Sequence, residues 1–181
     1  MINLAKRRNM KKETKSFVRG IVWFLALTVV DQLTKYAAVA FLKSRKRIDL
    51  IPGVFELFYL ENRGAAFGIM RGRQFIFIVI ALLITICLAF LYRRIPCEKR
   101  YVPLKIICVS IAAGAMGNMI DRLFHTYVID FLYFSLIDFP VFNVADCYVT
   151  IGVGLLIILL VTFYKDEPFD FLNPSYKKEK G

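Results

Sequence analysis

The sequence predicts a mainly α integral membrane protein, four transmembrane helices with a small β-rich subdomain on the outer face, and three observations predict it. Hydrophobic residues make up 58% of the 181-residue chain and the mean hydropathy is +0.57, well above the apolar share of soluble domains. Four stretches, 20–42, 75–92, 101–120 and 144–164, are long and apolar enough to cross a bilayer. Lys and Arg gather at the ends of these stretches and not along one amphipathic face. The net charge of +11 therefore points to anionic lipid headgroups and away from nucleic acid.

The first element is a basic extension, residues 1–19, followed by the span 20–42. A basic stretch, an apolar run and Ala38-Val39-Ala40 together have the form of a secretory signal and its cleavage site. The apolar run is too long for one and contains Asp31 and Lys35, so an uncleaved first helix is expected. Residues 43–72 form a loop in which Ile48 to Leu60 alternates partly around Pro52-Gly53, predicting one or two short strands. The second span carries no charge, and at about 1.5 Å per residue it covers roughly 27 Å, close to a hydrocarbon core.

The third and fourth spans, 101–120 and 144–164, flank the second outer loop, and residues 165–181, with Pro168, Pro174 and a terminal lysine run, are expected to form a solvated tail. Seven Lys and Arg residues precede Gly20, five lie from Arg93 to Lys105, four follow Tyr164, and only Arg122 lies between Ile120 and Val144. Both termini and the loop between the second and third spans are thus expected to be cytoplasmic. Lys43, Arg45, Lys46 and Arg47, in the first outer loop, run against that assignment. Cys87, Cys97, Cys108 and Cys147 show no Cys-x-x-Cys spacing and read as small apolar residues.

A charge in the middle of a membrane helix costs about 2.5–3.5 kcal/mol even on insertion scales, so each one calls for an explanation. Asp31 and Lys35 are four residues apart, on one helical face, with the acid N-terminal; mutual neutralisation and a role in shaping a site are both consistent with that. Asn118, Asp121 and Arg122 close the third span after the small residues Ala112, Ala113, Gly114 and Ala115, which let helices approach closely. Their structural role would be to hydrogen-bond a loop and to pair Asp121 with Arg122. Asn143 and Asp146 form the pattern of a capping box at the start of the fourth span. No such account covers Asp130, alone in the apolar run Tyr127 to Tyr133.

The residues between Asp130 and Asp146 run from beyond one span to the start of the next, so both carboxyls can reach the same membrane depth. Two carboxyls within hydrogen-bonding reach cannot both ionise cheaply; one keeps a proton and the other acts as a base. A pair of that kind hydrolyses amides by activating water with the base and protonating the carbonyl oxygen with the acid. Spacing alone does not choose this pair, because Asp31, Asp121 and Asp138 are also candidates near the outer face.

Five blocks settle on a resemblance: Asp31-Gln32-Leu33-Thr34-Lys35, Asn62-Arg63-Gly64-Ala65-Ala66-Phe67, Gly117-Asn118-Met119-Ile120-Asp121-Arg122, Val128-Ile129-Asp130-Phe131 and Phe142-Asn143-Val144-Ala145-Asp146. In this order and on these spans the chain resembles lipoprotein signal peptidase, or signal peptidase II, over Gly20 to Tyr164. The resemblance implies an aspartyl endopeptidase of the bacterial cell membrane with Asp130 and Asp146 as its catalytic dyad. It implies that Asp31, Lys35, Asn62, Gly64, Asn118, Asp121, Arg122 and Asn143 support or line the site. The implied substrate is a prolipoprotein whose cysteine already carries a diacylglyceryl group, cleaved just before that cysteine near the outer leaflet. Ala113 and Cys147 stand where the family often has glycine and serine, and neither alters a catalytic carboxylate.

The implied chemistry needs no cofactor. No metal site is read either, since the lone His125 has no Cys, Asp or Glu at ligand spacing that is not already accounted for. The expected partners are the prolipoprotein and membrane lipids, with no nucleic acid, and the chain is expected to act as a monomer. Three other classes compete with this reading, one of them a non-catalytic membrane scaffold, which leaves the five polar blocks unexplained. A proton or ion transporter would use the same carboxylates as a relay, but broken helices and internal repeats are missing from the sequence. A Cys147 nucleophile with His125 as base lacks any orienting motif.

Overall fold

The computed structural model describes the backbone of residues 2–64, 73–165 and 169–172, and within these the side chains from residue 10 onward apart from Asp170. Helices α1 (Ile2–Leu42), α2 (Gln74–Arg94), α3 (Val102–His125) and α4 (Val144–Thr162) are joined with strands β1 (Arg47–Ile51), β2 (Phe55–Asn62) and β3 (Val128–Tyr133). All four helices contain segments long and apolar enough to cross a membrane. Exposed Val22, Trp23, Leu83, Ile86, Ile157 and Val161 cover their outer surfaces, as a lipid-facing surface requires. Of the expected loop 43–72 the part 65–72 lies outside the described residues, and so does most of the tail 165–181.

α1 does not begin where its apolar run begins. Its 41 residues amount to about 60 Å of helix, roughly twice a hydrocarbon core, so the basic extension continues the first span without a break. α3 likewise runs past the expected end at Ile120, through Asp121 and Arg122 to His125, where Thr126 takes a left-handed backbone conformation (φ 63°) and stops it. Hydropathy marks where a helix is apolar, while backbone hydrogen bonding continues into polar residues that find partners.

α3 is the buried helix, in contact with each of the other three. Its run of small side chains makes that possible. A Cβ on Gly114 would stand 2.5 Å from the carbonyl oxygen of Ala145 on α4, and one on Gly117 would collide with the carboxylate of Asp31 on α1. α2 and α4 are shallow by comparison, with Tyr92 buried on one and Ala145 and Gly152 on the other.

The one or two strands expected around Pro52-Gly53 are two, β1 and β2, joined by a turn in which Gly53 takes φ 73°, a conformation that suits glycine. They belong to a three-stranded antiparallel sheet of order β1-β2-β3. The sequence does not announce β3: Val128 to Phe131 are all buried, so the segment shows none of the alternation that marks a half-exposed strand. The sheet packs on the last turns of α1 through Ala38, Leu42, Ile129 and Phe131. A second cluster, Tyr92, Ile95, Tyr101, Leu104, Cys108, Tyr164 and Phe171, closes the opposite end of the bundle.

The glycine contacts give a direct expectation. Gly114→Ala should destabilise the protein by about 1–3 kcal/mol as an overpacking change against backbone. Gly154→Ala, which meets nothing within 4 Å, should be neutral or slightly stabilising. Thermal unfolding of the two variants in detergent checks both.

Candidate active site

Polar groups buried in a membrane bundle must satisfy one another, and here the carboxylates do so across three helices and the sheet. Lys35 Nζ lies 2.9 Å from Asp31 Oδ2 and 3.1 Å from Asp121 Oδ2, and donates to Asn118 Oδ1 at 2.9 Å. Asp31, Lys35 and Asp121 are each no more than 1% exposed. Asp121 therefore pairs with Lys35 and not, as expected from sequence, with the adjacent Arg122. Adjacent residues on a helix point apart, while α1 brings its ammonium to the inward face of α3.

The same two carboxylates also hold the backbone of other elements. Asp31 Oδ1 accepts from the Ala145 backbone N–H at 2.9 Å, fixing the first turn of α4. Asp121 Oδ2 accepts from the Ile129 N–H at 3.0 Å, fixing the start of β3, so the bond expected to a loop goes to a strand. Gln32, quoted in the first block but not singled out as a site residue, donates to Asp31, Asp121 and the Gly117 carbonyl at 3.0–3.2 Å. An amide side chain next to an acid in an apolar helix was the available signal.

Asp130 and Asp146 are brought together by pairing of main chain. Asn62 stands opposite Val128 in the sheet, which puts it diagonally across from Asp130 on the same face, and its Nδ2 donates to Asp130 Oδ2 at 2.9 Å. Phe142 pairs with Leu132, which carries Asn143 alongside β3, where its Nδ2 donates to Asp130 Oδ1 at 2.6 Å. Asn143 also caps α4: its side chain accepts from the Asp146 N–H at 3.0 Å, and its own N–H donates to Asp146 Oδ2 at 3.1 Å. Asn118 Nδ2 donates to Asp146 Oδ1 at 2.7 Å and its oxygen accepts from Asn143 at 3.1 Å. The capping box is thus real, and one residue, Asn143, holds both carboxylates.

The two carboxyls differ in surroundings. Asp130 is 2% exposed and Asp146 is only partly buried. Burial first, then the charge of Asp146, pushes the Asp130 carboxyl up to about 7 against the opposing hydrogen bonds from Asn62 and Asn143. Among the described residues neither carboxylate has an ion-pair partner within 4 Å, whereas Asp31 and Asp121 share Lys35. Asp138, the remaining spacing candidate, accepts from the Tyr133 hydroxyl at 2.6 Å in an exposed turn.

Arg122 donates to the Asn118 and Gly64 carbonyls at 3.3 Å each and stacks over Phe77, 4.6 Å from its ring centre. The Gly64 N–H in turn donates to Asn62 Oδ1 at 3.0 Å. All ten residues singled out from sequence therefore fall in one connected network. Ala65, Ala66 and Phe67 of the second block lie outside the described residues. His125 stacks on Tyr127, and among the described residues no hydrogen bond joins it to Cys147.

The family model described as "Signal peptidase (SPase) II" matches residues 23–162. The chain is 43% identical over 144 residues to a lipoprotein signal peptidase of Symbiobacterium thermophilum, covering 78% of this chain and 93% of that protein. It is 37% identical over 160 residues to one of Streptococcus pyogenes serotype M1, covering 88% and 99%. Two solved structures described as bacterial membrane enzymes determined in meso share its fold. One has a TM-score of 0.72 at 29% identity, covering 83% of this chain and 92% of that one; the other has 0.67 at 32%, covering 80% and 93%.

Removing the ammonium from the network should leave two buried carboxylates without compensation. Lys35→Met is expected to lose about 3–5 kcal/mol of stability, read as a lowered unfolding midpoint in detergent. The double variant Lys35→Met with Asp121→Asn should recover part of that loss, because one of the stranded charges is gone.

Proposed function

Since the chain belongs to the signal peptidase II family, whose members are lipoprotein signal peptidases, and removes signal peptides from prolipoproteins, we propose that it does so as an aspartyl endopeptidase with Asp130 and Asp146 as the catalytic dyad. The observation that carries this reading is Asn143, which donates its side-chain amide to Asp130 and its backbone N–H to Asp146. A carboxyl raised to about 7 beside one that is open to its surroundings suits a pair that shares one proton near neutral pH.

In this mechanism the partly exposed Asp146 takes a proton from water as the hydroxide attacks the scissile carbonyl carbon, and protonated Asp130 gives its proton to the carbonyl oxygen. Collapse of the tetrahedral intermediate breaks the C–N bond, the proton now on Asp146 passes to the leaving amine, and one hydroxyl of the intermediate returns its proton to Asp130 as the carboxylic acid forms. Asn62, Asn118 and Asn143 orient the two carboxyls. Asp31, Lys35 and Asp121 hold the elements that carry them. Arg122 and Gly64 support the Asn62 side of the site through the Gly64 backbone. No cofactor enters any step.

The substrate in this reading is a prolipoprotein with a diacylglyceryl cysteine, cut just before that cysteine. A dyad held between the sheet and the first turn of α4 sits at the end of the spans, where a lipid-anchored cysteine is presented. The Lys and Arg distribution favours cytoplasmic termini and a site near the outer leaflet. The residues divide into a basic extension 1–19, a membrane peptidase domain 20–164 and a tail 165–181. All ten site residues come from one chain, which suits a monomer. The comparisons lend the transporter alternative no support.

Asp130→Asn and Asp146→Asn should each lower cleavage of a diacylglyceryl prolipoprotein at least a thousandfold while leaving the unfolding midpoint near that of the wild type, and the unlipidated precursor should not be cut. A folded Asp146→Asn enzyme that cleaves at the wild-type rate would reduce Asp146 to a helix cap and end this reading.

The pH dependence has a definite sign. Asp130 holds its proton below about 7 and loses it as the pH rises, removing the acid. The rate of cleavage should therefore fall on the alkaline side, with an apparent pKa near 7 that belongs to the coupled pair. A rate still rising well above neutral pH would contradict the assignment.

A further inference from the structure

At the end of the bundle away from the sheet, α1 and α2 meet at Tyr92, which packs on Gly20 and bonds to Ser16, and beside that contact a cavity of about 270 Å³ opens between them over α3. Its walls are Phe17, Ile21 and Phe24 of α1, Leu88 and Tyr92 of α2, and Val109 of α3. The two hydroxyls in the lining are already engaged: Thr85 donates to the Ala81 carbonyl at 2.8 Å and Tyr92 to the Ser16 carbonyl at 2.8 Å. Exposed Ile21 and Leu25 leave the cavity open towards the membrane side. Its occupant must be apolar along this length.

Behind the Tyr92 wall lies a group of the opposite character. Lys105 is buried to 7% exposure and its Nζ donates to Ser16 Oγ at 2.9 Å and to the exposed Cys97 Sγ at 3.4 Å, while lying 5.0 Å from the centre of the Tyr92 ring. Among the described residues no carboxylate lies within 4 Å of it, in contrast to Lys35 at the other end of the bundle, which has two. An ammonium has three donors, and a buried charge without a counter-charge is costly. Arg93 approaches the same cleft, its guanidinium 5.1 Å from the ring of the wall residue Phe17.

We propose that this cleft binds an anionic glycerophospholipid, with an acyl chain in the cavity between α1 and α2 and the phosphate against Lys105 and Arg93. An apolar slot ending at an uncompensated cation matches one amphipathic anion and no neutral lipid. A signal peptide, with its basic leading segment, would be repelled by the same cation. The site is separate from the dyad and does not depend on the reaction assigned to it.

Native mass spectrometry of the full-length enzyme in detergent tests this, with dioleoylphosphatidylglycerol, dioleoylphosphatidylcholine and inorganic phosphate as probes. Phosphatidylglycerol should be retained at concentrations where the other two are not. Its binding should weaken at least fivefold in Lys105→Gln and in Ala89→Phe, which fills the cleft from an exposed position. It should persist in Lys105→Arg and in Arg45→Gln, a change at the sheet end. Equal retention of phosphatidylcholine, or wild-type binding by Ala89→Phe, would overturn the proposal. Binding of phosphate alone would mean an anion site with no lipid, and an equal loss in Arg45→Gln would mean diffuse charge attraction; either result also overturns it. Should Lys105→Gln fail to fold, Ala89→Phe and Lys105→Arg still decide it.

Discussion

A lysine ammonium between two carboxylates, inside a bundle otherwise made largely of apolar side chains, is the constraint from which the rest of this architecture follows. Three charges in a low-dielectric interior are tolerable only if they stay together, so α1 and α3 cannot slide or rotate against one another without separating Lys35 from Asp121. The carboxylates are not exhausted by the lysine. Each has an oxygen that takes a backbone N–H from a third element, Ala145 at the start of α4 and Ile129 at the start of β3. These are the two elements that carry Asp146 and Asp130. A network that has to exist for electrostatic reasons therefore also fixes where the two carboxyls of the proposed dyad stand.

The network explains why two chemically identical side chains become different. Asp130 lies on a strand whose first four residues are all buried, under Asn62 and Asn143, so its carboxyl is dehydrated and holds its proton more firmly. Asp146 stands in the first turn of a helix and keeps partial access to its surroundings. Asn143 belongs to both environments. Its backbone and side chain complete the helix cap, and the same amide reaches the strand, so the distance between the carboxyls is set by one residue's covalent geometry.

Much of this could be read from sequence, and the parts that could not share a cause. The four spans follow from hydropathy, and the acid–base spacing Asp31 to Lys35 gave one ion pair correctly. The capping box at Asn143 followed from residue types three apart. What failed to show was contact between segments distant in sequence: the third strand, which lacks alternation because its first four residues are all buried; Lys35 reaching Asp121 in preference to Arg122; and the joint hold of Asn143 on two carboxylates. Spacing left other pairings open, with Asp31, Asp121 and Asp138 all near the same face. The sheet register, Asn62 opposite Val128, and the bridge from Leu132 to Phe142 are what bring Asp130 and Asp146 together, and neither has a local signature.

The same central helix serves the two ends of the bundle differently. Near the site, Gly114 and Gly117 bring α4 and α1 so close to α3 that no side chain fits between them, and the carboxylates and side-chain amides there satisfy one another. Towards the other end α1 and α2 enclose a cavity beside their contact at Tyr92, and Lys105 meets a serine, a thiol and an aromatic ring where Lys35 meets two carboxylates. A buried cation left half-satisfied by protein implies satisfaction from outside it, and in a membrane the abundant anions are lipid phosphates. Close packing beside the proposed dyad and an apolar cavity towards the other end thus lie along the same helix, α3.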